Sequence, residues 1–394
     1  ITRIFAGSSA PQGKDFFSES GAPFVRVSDL GNCNAAGVLE TTRDHLSRQA
    51  VADCPLVKAP KGAVLFPKSG AAIATNRRAV LGMDAYIVGH LFALVANSEA
   101  VTMEWLYSAM RQIDMMEHSD NVGYPSLKKS AVEKITIPLP PLAEQKRIVA
   151  VLNRQLAAVE GAREAALGRV EAAQSLPAAW LREVFSFGGE RLPHGWQWIK
   201  LGNACEINPR RPKGFDRADE EPTTFIPMDA VSATYGMVDR PQTRPYGEIK
   251  KGYTFFSDGD VMFAKITPCM QNGKHFIAGN SLDGVGFAST EFHVLRPGDS
   301  LLAEWAHFYL RQPAILKEAT YHFTGTVGQQ RVPDSFLKEL SIPLPPLAQQ
   351  KRLVASLNAK MAATERVRAA AGAELEAITA LPAALLREAF SGAL

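Results

Sequence analysis

Residues Ile137 to Asn153 read IPLPPLAEQKRIVAVLN, and residues Ile342 to Asn358, 205 positions later, read IPLPPLAQQKRLVASLN. The same offset places LPAAWLREVF, from Leu176 to Phe185, onto LPAALLREAF, from Leu381 to Phe390. Between these paired ends the two copies have equal length. The chain is therefore an internal duplication, and this duplication decides its architecture.

Each copy is typical of a long helix. Proline is tolerated at the first helical position, so Pro141 and Pro346 are interpreted as helix starts. No further proline appears before Pro177 and Pro382. Apolar residues recur at alternating spacings of three and four, a heptad seam in which Arg163 and Arg368 take one slot each. The seam of the first copy is Val149, Leu152, Leu156, Val159, Ala166, Val170 and Ala173, and that of the second is Val354, Leu357, Met361, Thr364, Ala371, Leu375 and Ile378.

A seam this narrow needs a partner, and the other copy is the nearest helix of equal length. We therefore predict that the two helices, roughly 141–186 and the matching C-terminal stretch, pack on each other as an antiparallel coiled coil. About 34 residues before each proline make a rod of about 50 Å. The alternative is that each helix docks only on its own globular neighbour.

Composition sets further bounds. A chain of 394 residues has room for two or three domains. Its four cysteines form no CxxC pair, which favours a reducing cytosol over a disulfide framework or structural zinc. No apolar run approaches the ~20 residues that span a bilayer. The net charge of +3 means that any nucleic-acid binding depends on local basic patches.

One β-rich globular domain precedes each of the two helices. Strands are predicted near residues 24–27, 63–66 and 86–88 and near 223–228, 261–265 and 291–295, and a helix near 103–116. The domains align weakly, with Trp105 on Trp305, GAVLFPK from Gly62 on GDVMFAK from Gly259, and Val122-Gly123 on Val327-Gly328. We predict an α+β fold with an internal pseudo-two-fold repeat. Its parts are a first domain at 1–137, a helix at 138–187 that ends in a Gly188-Gly189 linker, a second domain at 188–342 and a helix at 343–394.

Motifs for catalysis are missing from the sequence. It contains no GxxxxGK[ST], HExxH or GxSxG, no Cys/His metal spacing, and no [ND]PP[YF] motif of methyltransferases that act on amino groups. One nuclease-like fragment, Glu248-Ile249-Lys250 with Asp239 upstream, leaves a stand-alone metal-dependent nuclease as an alternative. A coiled-coil scaffold that binds no DNA is a second alternative.

Polar loops follow the aligned strands in both domains. Asn and Gln side chains bind adenine in a bidentate way, Arg and Lys bind guanine, and both cations bind phosphate. We therefore predict a DNA-binding role for these loops and for a neighbouring basic patch. The candidate residues are Lys68, Ser69, Asn76, Arg77, Arg78, Tyr124 and Lys128 in the first domain, and Arg210, Arg211, Lys265, Thr267, Gln271, Asn272, Lys274, Gln329, Gln330 and Arg331 in the second.

The duplicated IPLPPL…Q motif, each copy opening a long helix after a dissimilar domain, resembles the specificity subunit of type I restriction-modification systems. FAKITPCMQNGK, from Phe263 to Lys274, is similar to the target-recognition domains of that family. The second domain also opens on GWQWIKLG, from Gly195 to Gly202, as the family does. The first domain starts past such an opening, so we expect a further N-terminal segment.

The resemblance implies that each domain reads one half of a bipartite site in double-stranded DNA, and that the helices set the spacer. It also implies that the helices dock two adenine-N6 methyltransferase subunits, and it names restriction or translocase subunits as further candidate partners. No cofactor is expected in this chain, because S-adenosylmethionine, ATP and Mg²⁺ belong to the partners. The target adenine is expected to flip into a partner's pocket. No metal site and no membrane association are expected.

Overall fold

The computed structural model describes residues 1–34, 36–120, 123–187, 192–234, 236–326 and 328–391. The predicted Gly188-Gly189 linker, Val122 and Val327 lie outside these residues. The chain divides into two units, one of residues 1–168 and 372–394 and the other of residues 169–371. Each unit therefore combines one β-rich domain with a part of both long helices.

The β-rich domain of the first unit has two five-stranded sheets, of order β1-β10-β7-β8-β4 and β2-β5-β3-β9-β6. The predicted strands near 24–27, 63–66 and 86–88 correspond to β3, β7 and β9. The elements are β1 (Thr2–Ala6), β2 (Phe17–Ser18), β3 (Ala22–Val25), β4 (Val38–Leu39), β5 (Asp44–Leu46), α1 (Arg48–Asp53), β6 (Lys58–Ala59), β7 (Val64–Pro67), β8 (Ala79–Leu81), β9 (Ala85–Ile87), β10 (Leu91–Ala96), α2 (Met103–Gln112) and α3 (Lys129–Val132).

The second unit has sheets of order β11-β20, β12-β19-β16-β17 and β14-β13-β18-β15. The predicted strands near 223–228, 261–265 and 291–295 correspond to β13, β16 and β19. The elements are β11 (Gln197–Lys200), α5 (Leu201–Ala204), β12 (Cys205–Ile207), β13 (Pro222–Ile226), β14 (Gln242–Pro245), α6 (Tyr246–Ile249), β15 (Thr254–Ser257), β16 (Val261–Ala264), β17 (Phe276–Ile277), β18 (Val285–Ala288), β19 (Phe292–Pro297), α7 (Ala303–Leu310), α8 (Pro313–Thr320), α9 (Asp334–Glu339) and β20 (Ser341–Leu344).

The two long helices are α4 (Leu142–Phe185) and α10 (Leu347–Ser391). Each begins one residue after the predicted proline, and the Pro141 and Pro346 carbonyls accept the first helical hydrogen bonds. The helices are 44 and 45 residues long because they continue through Pro177 and Pro382. Proline removes one hydrogen bond from each ladder, and burial of the last turn offsets that loss.

The predicted heptad seam is confirmed. All fourteen of its apolar or threonine positions are buried or half-buried, and so are Arg163 and Arg368. The early turns of one helix lie beside the late turns of the other in both units, which makes the pair antiparallel. In the first unit Ile148, Val149 and Leu152 share a buried cluster with Leu386 and Phe390.

The second unit repeats this packing. Leu181 and Phe185 of α4 share a buried cluster with Val354 and Leu357 of α10. Trp180 donates from Nε1 to the Thr364 hydroxyl at 3.1 Å. The coiled-coil prediction is therefore confirmed, and the alternative that each helix contacts only its own domain is wrong.

A tryptophan in each domain receives the last aromatic residue of the helix that follows the other domain. The Trp105 ring lies 4.4 Å from Phe390, and the Trp305 ring lies 4.6 Å from Phe185. Each indole also donates to a carbonyl of the duplicated motif, at Pro138 and Pro343 respectively. These contacts explain why both the motif and the LREVF/LREAF ends are duplicated.

The glutamine of the duplicated motif is buried in both copies and makes the same three contacts. Gln145 accepts from the Thr102 amide and donates to the Ala100 and Pro140 carbonyls. Gln350 accepts from the Leu302 amide and donates to the carbonyls of Ser300 and Pro345. Buried polar groups are costly unless they are satisfied, so this residue fixes each helix start to its domain.

In the ranges that the structure describes, one helix, α10, is long and apolar enough to cross a membrane by length and composition alone. Its stretch from Ala369 to Leu386 is rich in alanine. Alanine raises the mean hydropathy of a helix without adding the bulk that a lipid-facing surface usually has. The burial of Val354, Leu357, Leu386 and Phe390 instead fits a coiled-coil helix.

Candidate nucleic-acid interface

In the first unit two loops are joined by backbone hydrogen bonds, and we call residues 68–78 and 123–128 the first loop pair. The Lys68 amide donates to the His90 carbonyl at 2.8 Å. The Lys68 carbonyl accepts from the Leu127 amide at 2.8 Å, and the Gly70 amide donates to the Pro125 carbonyl at 2.8 Å. The loop after β7 is thereby held against the segment before α3.

The second unit contains the same arrangement, and we call residues 265–274 and 328–331 the second loop pair. The Lys265 amide donates to the Glu291 carbonyl at 2.9 Å. The Lys265 carbonyl accepts from the Val332 amide, and the Thr267 amide donates to the Gln330 carbonyl, both at 2.9 Å. The two loop pairs therefore share one backbone frame, in which Lys68 corresponds to Lys265.

Side chains within this frame differ between the units. In the first loop pair the Ser69 hydroxyl and the His90 Nδ1 are 2.6 Å apart. In the second, Arg331 makes a bidentate pair with Glu291 at 2.8 Å through both oxygens, and its remaining nitrogen donates to the Gln329 carbonyl. Arg331 holds the pKa of Glu291 below its usual value. The sequence prediction missed His90 and Glu291, although both flank the strand that pairs with the aligned one.

The tip of the second loop pair presents polar side chains to solvent. Gln271 and Asn272 are exposed. The Thr267 hydroxyl donates to the Gln271 side-chain oxygen at 2.6 Å, which turns the amide NH₂ of Gln271 outward. Lys274 instead donates to the Met228 carbonyl and anchors the loop. Gln329 is also exposed and Gln330 is half-buried.

In the first loop pair Tyr124 is 61% exposed and lies against Gly70. Gly70 has a φ of 77°, a conformation that glycine adopts without strain. Lys128 forms an ion pair with Asp120 at 2.9 Å. The side chains of Lys128 and Asp120 are both exposed to solvent, so this ion pair contributes little to the stability of the fold. Lys128 therefore remains accessible to a ligand.

Asn76, Arg77 and Arg78 have different environments. Arg77 is exposed, whereas Arg78 is only 6% exposed and donates to the carbonyls of Arg77, Met110 and Ile113. It also donates to the Asn76 side chain at 2.6 Å. Burial lowers the pKa of Arg78 to about 10. These contacts favour a role for Arg78 in shaping the loop, and a DNA contact by any residue of this group stays a prediction.

The predicted basic patch lies on the segment after β12. Arg210, Arg211 and Lys213 are all exposed. The Arg211 guanidinium donates to the Tyr246 hydroxyl and the Lys250 carbonyl, both at 3.2 Å. This segment is therefore a cationic surface whose arginine at position 211 is held in place by neutral acceptors.

The nuclease-like fragment is not assembled as a metal site. Lys250 forms an ion pair with Asp219 at 2.6 Å, a residue outside the predicted set of Asp239 and Glu248. Within the described ranges no group of three or more His, Cys, Asp or Glu side chains is placed to hold a metal ion. The four cysteines are all unpaired.

Comparison with known proteins places this geometry in a family. The sequence profile of the type I restriction modification DNA specificity domain matches residues 3–167 and 193–374. The chain is 39% identical over 171 residues to the type I restriction enzyme EcoEI specificity subunit of Escherichia coli, and 38% identical over 165 residues to the EcoAI specificity subunit. These matches cover 43% and 41% of this chain but only 28% and 27% of those subunits.

A longer match, 23% identical over 376 residues, covers 88% of this chain and 82% of the MjaIX specificity subunit of Methanocaldococcus jannaschii. Two solved structures have the same fold. The HsdS subunit from Thermoanaerobacter tengcongensis aligns with a TM-score of 0.64 at 23% identity, over 94% of this chain and 90% of that one. A chain from a study of the assembly and conformational transition of the type I R-M system aligns with a TM-score of 0.72 at 22% identity, over 94% and 91%.

The two matched stretches coincide with the two β-rich domains and the helices that follow them, and together they cover most of the chain. The first loop pair lies inside the first matched stretch, and the second loop pair lies inside the second. The protein therefore belongs to the type I restriction-modification DNA specificity family.

Proposed function

We propose that this chain is the DNA-reading specificity subunit of a type I restriction-modification complex, with each β-rich domain reading one half of a bipartite site. The observation that carries this proposal is the pair of loops that recurs in both units with one backbone frame and different exposed side chains. A shared frame supports a common docking geometry on the duplex. Different side chains support recognition of different bases.

The exposed groups have the chemistry that base reading requires. In the second loop pair Gln271 and Asn272 offer the amide groups that bind adenine edges. In the first, the exposed Arg77 and Tyr124 are the corresponding donors, together with the half-buried Ser69 beside His90. Lys128, Arg210 and Lys213 are exposed cations that suit phosphate contacts, which position a protein on the duplex without reading its sequence.

The duplicated surface of the helices supports the docking of two methyltransferase subunits. Lys146, Arg147 and Arg182 of α4 have identical counterparts in Lys351, Arg352 and Arg387 of α10, and all six are exposed. Exposed polar positions have little effect on folding, so their retention in both copies is unexplained by stability. A partner present in two copies would contact the same surface twice.

The chemistry of the complex is assigned to these partners. We infer that S-adenosylmethionine, ATP and Mg²⁺ bind to methyltransferase and restriction or translocase subunits, and that this chain has no catalytic role. The two helices would set the number of base pairs between the half-sites. The cytosol is the proposed location of the complex.

The test is a domain exchange. Residues 190–341 are replaced by the corresponding domain of another specificity subunit, and N6-methyladenine is mapped across a host genome that expresses the complex. We expect one half-site to change and the other to remain. A change in both half-sites would refute the assignment of one reader to each domain, and loss of all methylation by a folded chimera would refute independent domains.

Point variants separate the kinds of contact. Gln271→Ala should relax recognition at one base pair and cost about 1–3 kcal/mol of binding free energy on the original sequence only. Arg210→Ala should weaken binding to all sequences equally. A heptad inserted into both helices should lengthen the spacer, and an unchanged spacer would refute the ruler role. Cleavage of DNA by the purified chain with Mg²⁺ alone would support the nuclease alternative.

A further inference from the structure

A cavity of about 390 Å³ lies in the second unit beside the second loop pair. It is bounded by β19, by the start of β15 and by the segment that follows β12. Its lining includes Arg211, Lys250 and Lys265, and among the residues that the structure describes no carboxylate lines it. Such a cavity has a net positive charge, which favours an anionic ligand.

The backbone around the cavity is fixed. Asn208 has a φ of 53°, its amide donates to the Val294 carbonyl at 2.7 Å, and its side-chain oxygen accepts from the Val294 amide at 3.0 Å. His293 donates from Nε2 to the Val332 carbonyl at 2.9 Å, so its Nδ1 is the acceptor for the Asn208 amide group. These contacts hold the segment that carries Arg211 against β19, and they use up the polar atoms of Asn208 and His293.

The three cations differ in how their charge is balanced. Lys250 is paired with Asp219 at 2.6 Å. Within the described part of the chain, the acceptors of Arg211 are both neutral, the Tyr246 hydroxyl and the Lys250 carbonyl. The half-buried Lys265 ammonium has no hydrogen-bond or ion-pair partner among the residues that the structure describes. Burial lowers its pKa, and the nearby Glu291 carboxylate opposes this shift, but Glu291 is already paired with Arg331. Arg211 and Lys265 therefore remain for a ligand, whereas Lys250 is already neutralised.

We propose that this cavity binds a backbone phosphate of the DNA next to the second half-site, with Arg211 and Lys265 as its ligands. The inference rests on the proposed DNA-reading function. Arginine presents parallel N–H groups that match two phosphate oxygens, and lysine contributes a point charge. Tyr253, which is 39% exposed at the cavity, offers an aromatic face to the adjoining sugar.

DNA is the source of the phosphate because Lys265 belongs to both the cavity and the second loop pair. A strand whose bases face Gln271 and Asn272 would place its backbone near the same lysine. The exposed Arg210 and Lys213 extend the positive surface along that path. This assigns Lys265 as a phosphate contact and leaves base reading to the loop tip.

The test measures the dissociation constant of the full-length chain for a duplex as a function of salt concentration. Each phosphate contact contributes about 0.9 to the slope of log affinity against log salt. We expect Arg211→Ala and Lys265→Ala each to lower that slope by about this amount, equally on the cognate duplex and on one with a scrambled second half-site. Lys250→Ala is the matched control and should lower the slope by much less.

Several outcomes would overturn the proposal. An unchanged slope in the Arg211→Ala/Lys265→Ala double variant would do so, as would a loss confined to the cognate duplex, which indicates a base contact. Arg211→Lys and Lys265→Arg keep the charges and should restore most of the slope, which distinguishes a phosphate contact from misfolding. If none of the chains binds DNA at any salt concentration, the proposed function itself fails.

A final arm distinguishes DNA from a free nucleotide. Adenosine monophosphate is titrated against the wild-type chain and the Lys265→Ala variant without DNA. Weak binding, in the millimolar range or above, and displacement by duplex are expected. Tight binding of the mononucleotide that duplex does not displace would overturn the assignment to DNA backbone.

Discussion

The two loop pairs have the same backbone frame and different side chains, whereas the two helix ends have the same side chains as well. Lys68 and Lys265 make equivalent backbone hydrogen bonds, yet Ser69 contacts His90 in one unit and Arg331 pairs with Glu291 in the other. By contrast, Trp105 with Phe390 and Trp305 with Phe185 are duplicates. After duplication, the parts that hold the fold together stayed alike and the parts proposed to read DNA diverged.

The largest effect on stability is expected when either of the two duplicated tryptophans is removed. Trp105→Ala and Trp305→Ala should each destabilise their own unit by about 3–5 kcal/mol, because each indole is fully buried and donates a hydrogen bond to the duplicated motif. Urea unfolding gives the free energy, and hydrogen exchange shows which unit loses protection. Trp198→Ala, at a half-exposed site, is the control and should cost far less. Loss of protection in both units from one variant would contradict two separate cores.

A smaller effect is expected from the paired glutamines. Gln145→Ala and Gln350→Ala should each cost about 1–3 kcal/mol, because each leaves one partly buried backbone amide and two carbonyls without the glutamine partner. If denaturant titrations give the same loss of unfolding free energy for both variants, the two helix starts are stabilised to the same extent by their glutamines. Lys351→Ala, one position further on and exposed, should be nearly neutral. A cost at only one of the two glutamines would show that the equivalence is geometric alone.

The helices were predictable from sequence because the seven-residue repeat of apolar residues indicates which face of a helix is buried. The duplication then identified the other helix as the packing partner. The predicted helices already extended past Pro177 and Pro382, as the structure has them, but local rules do not explain why each helix continues through its proline. This continuation depends on Phe185 and Phe390 packing on tryptophans far away in sequence. The predicted helix near 103–116 ended earlier, at Gln112, and residues 115–118 form a separate short turn of 3₁₀ helix.

The candidate site was predictable only in part. The loops that follow β7 and β16 could be aligned by sequence, so their candidates lie in equivalent places. Their partners His90 and Glu291 could not, because cross-strand neighbours depend on sheet register. Residue type alone also did not predict the role of each arginine, since Arg78 is buried while the adjacent Arg77 is exposed.

The duplicated motif illustrates the same limit. Residues 341–344 form a strand paired with β11, whereas residues 136–139 form no strand in the part of the first unit that the structure describes. Leu344 is accordingly 6% exposed and Leu139 is 45% exposed. Two stretches that differ only at the first position, Thr136 against Ser341, therefore have different local structure when strand pairing is present in one and not in the other.

Acidic pH should lower the stability of the second unit more than that of the first. His275, His293 and His307 are buried in the second unit, and burial lowers the pKa of each, to about 3 for His307. The unfolded chain binds protons below pH about 6.5 while these folded imidazoles stay neutral, so stability falls as pH falls. His307 alone should cost the second unit about 2 kcal/mol by pH 5.

The equivalent positions of the first unit supply the control. Tyr107 corresponds to His307, and Phe92 corresponds to His293. His307→Tyr and His293→Phe should therefore reduce the acid sensitivity of the second unit, as followed by hydrogen exchange at pH 7 and pH 5. Equal acid sensitivity of both variants and the wild-type chain would show that other groups control it.

The smallest expected changes in stability lie in the loop pairs, where the comparison is sharpest. Ser69→Ala removes the hydroxyl that contacts His90, and Arg331→Ala removes the guanidinium that pairs with Glu291. Both sites are partly exposed to solvent, so each variant should change the free energy of unfolding by less than about 1 kcal/mol. The effect on DNA should be specific to one unit, because each side chain orders only its own loops. In binding measurements with one half-site altered at a time, Ser69→Ala should change discrimination at the first half-site and Arg331→Ala at the second. If either variant altered discrimination at both, the divergence of the loop pairs would not be the basis of bipartite recognition.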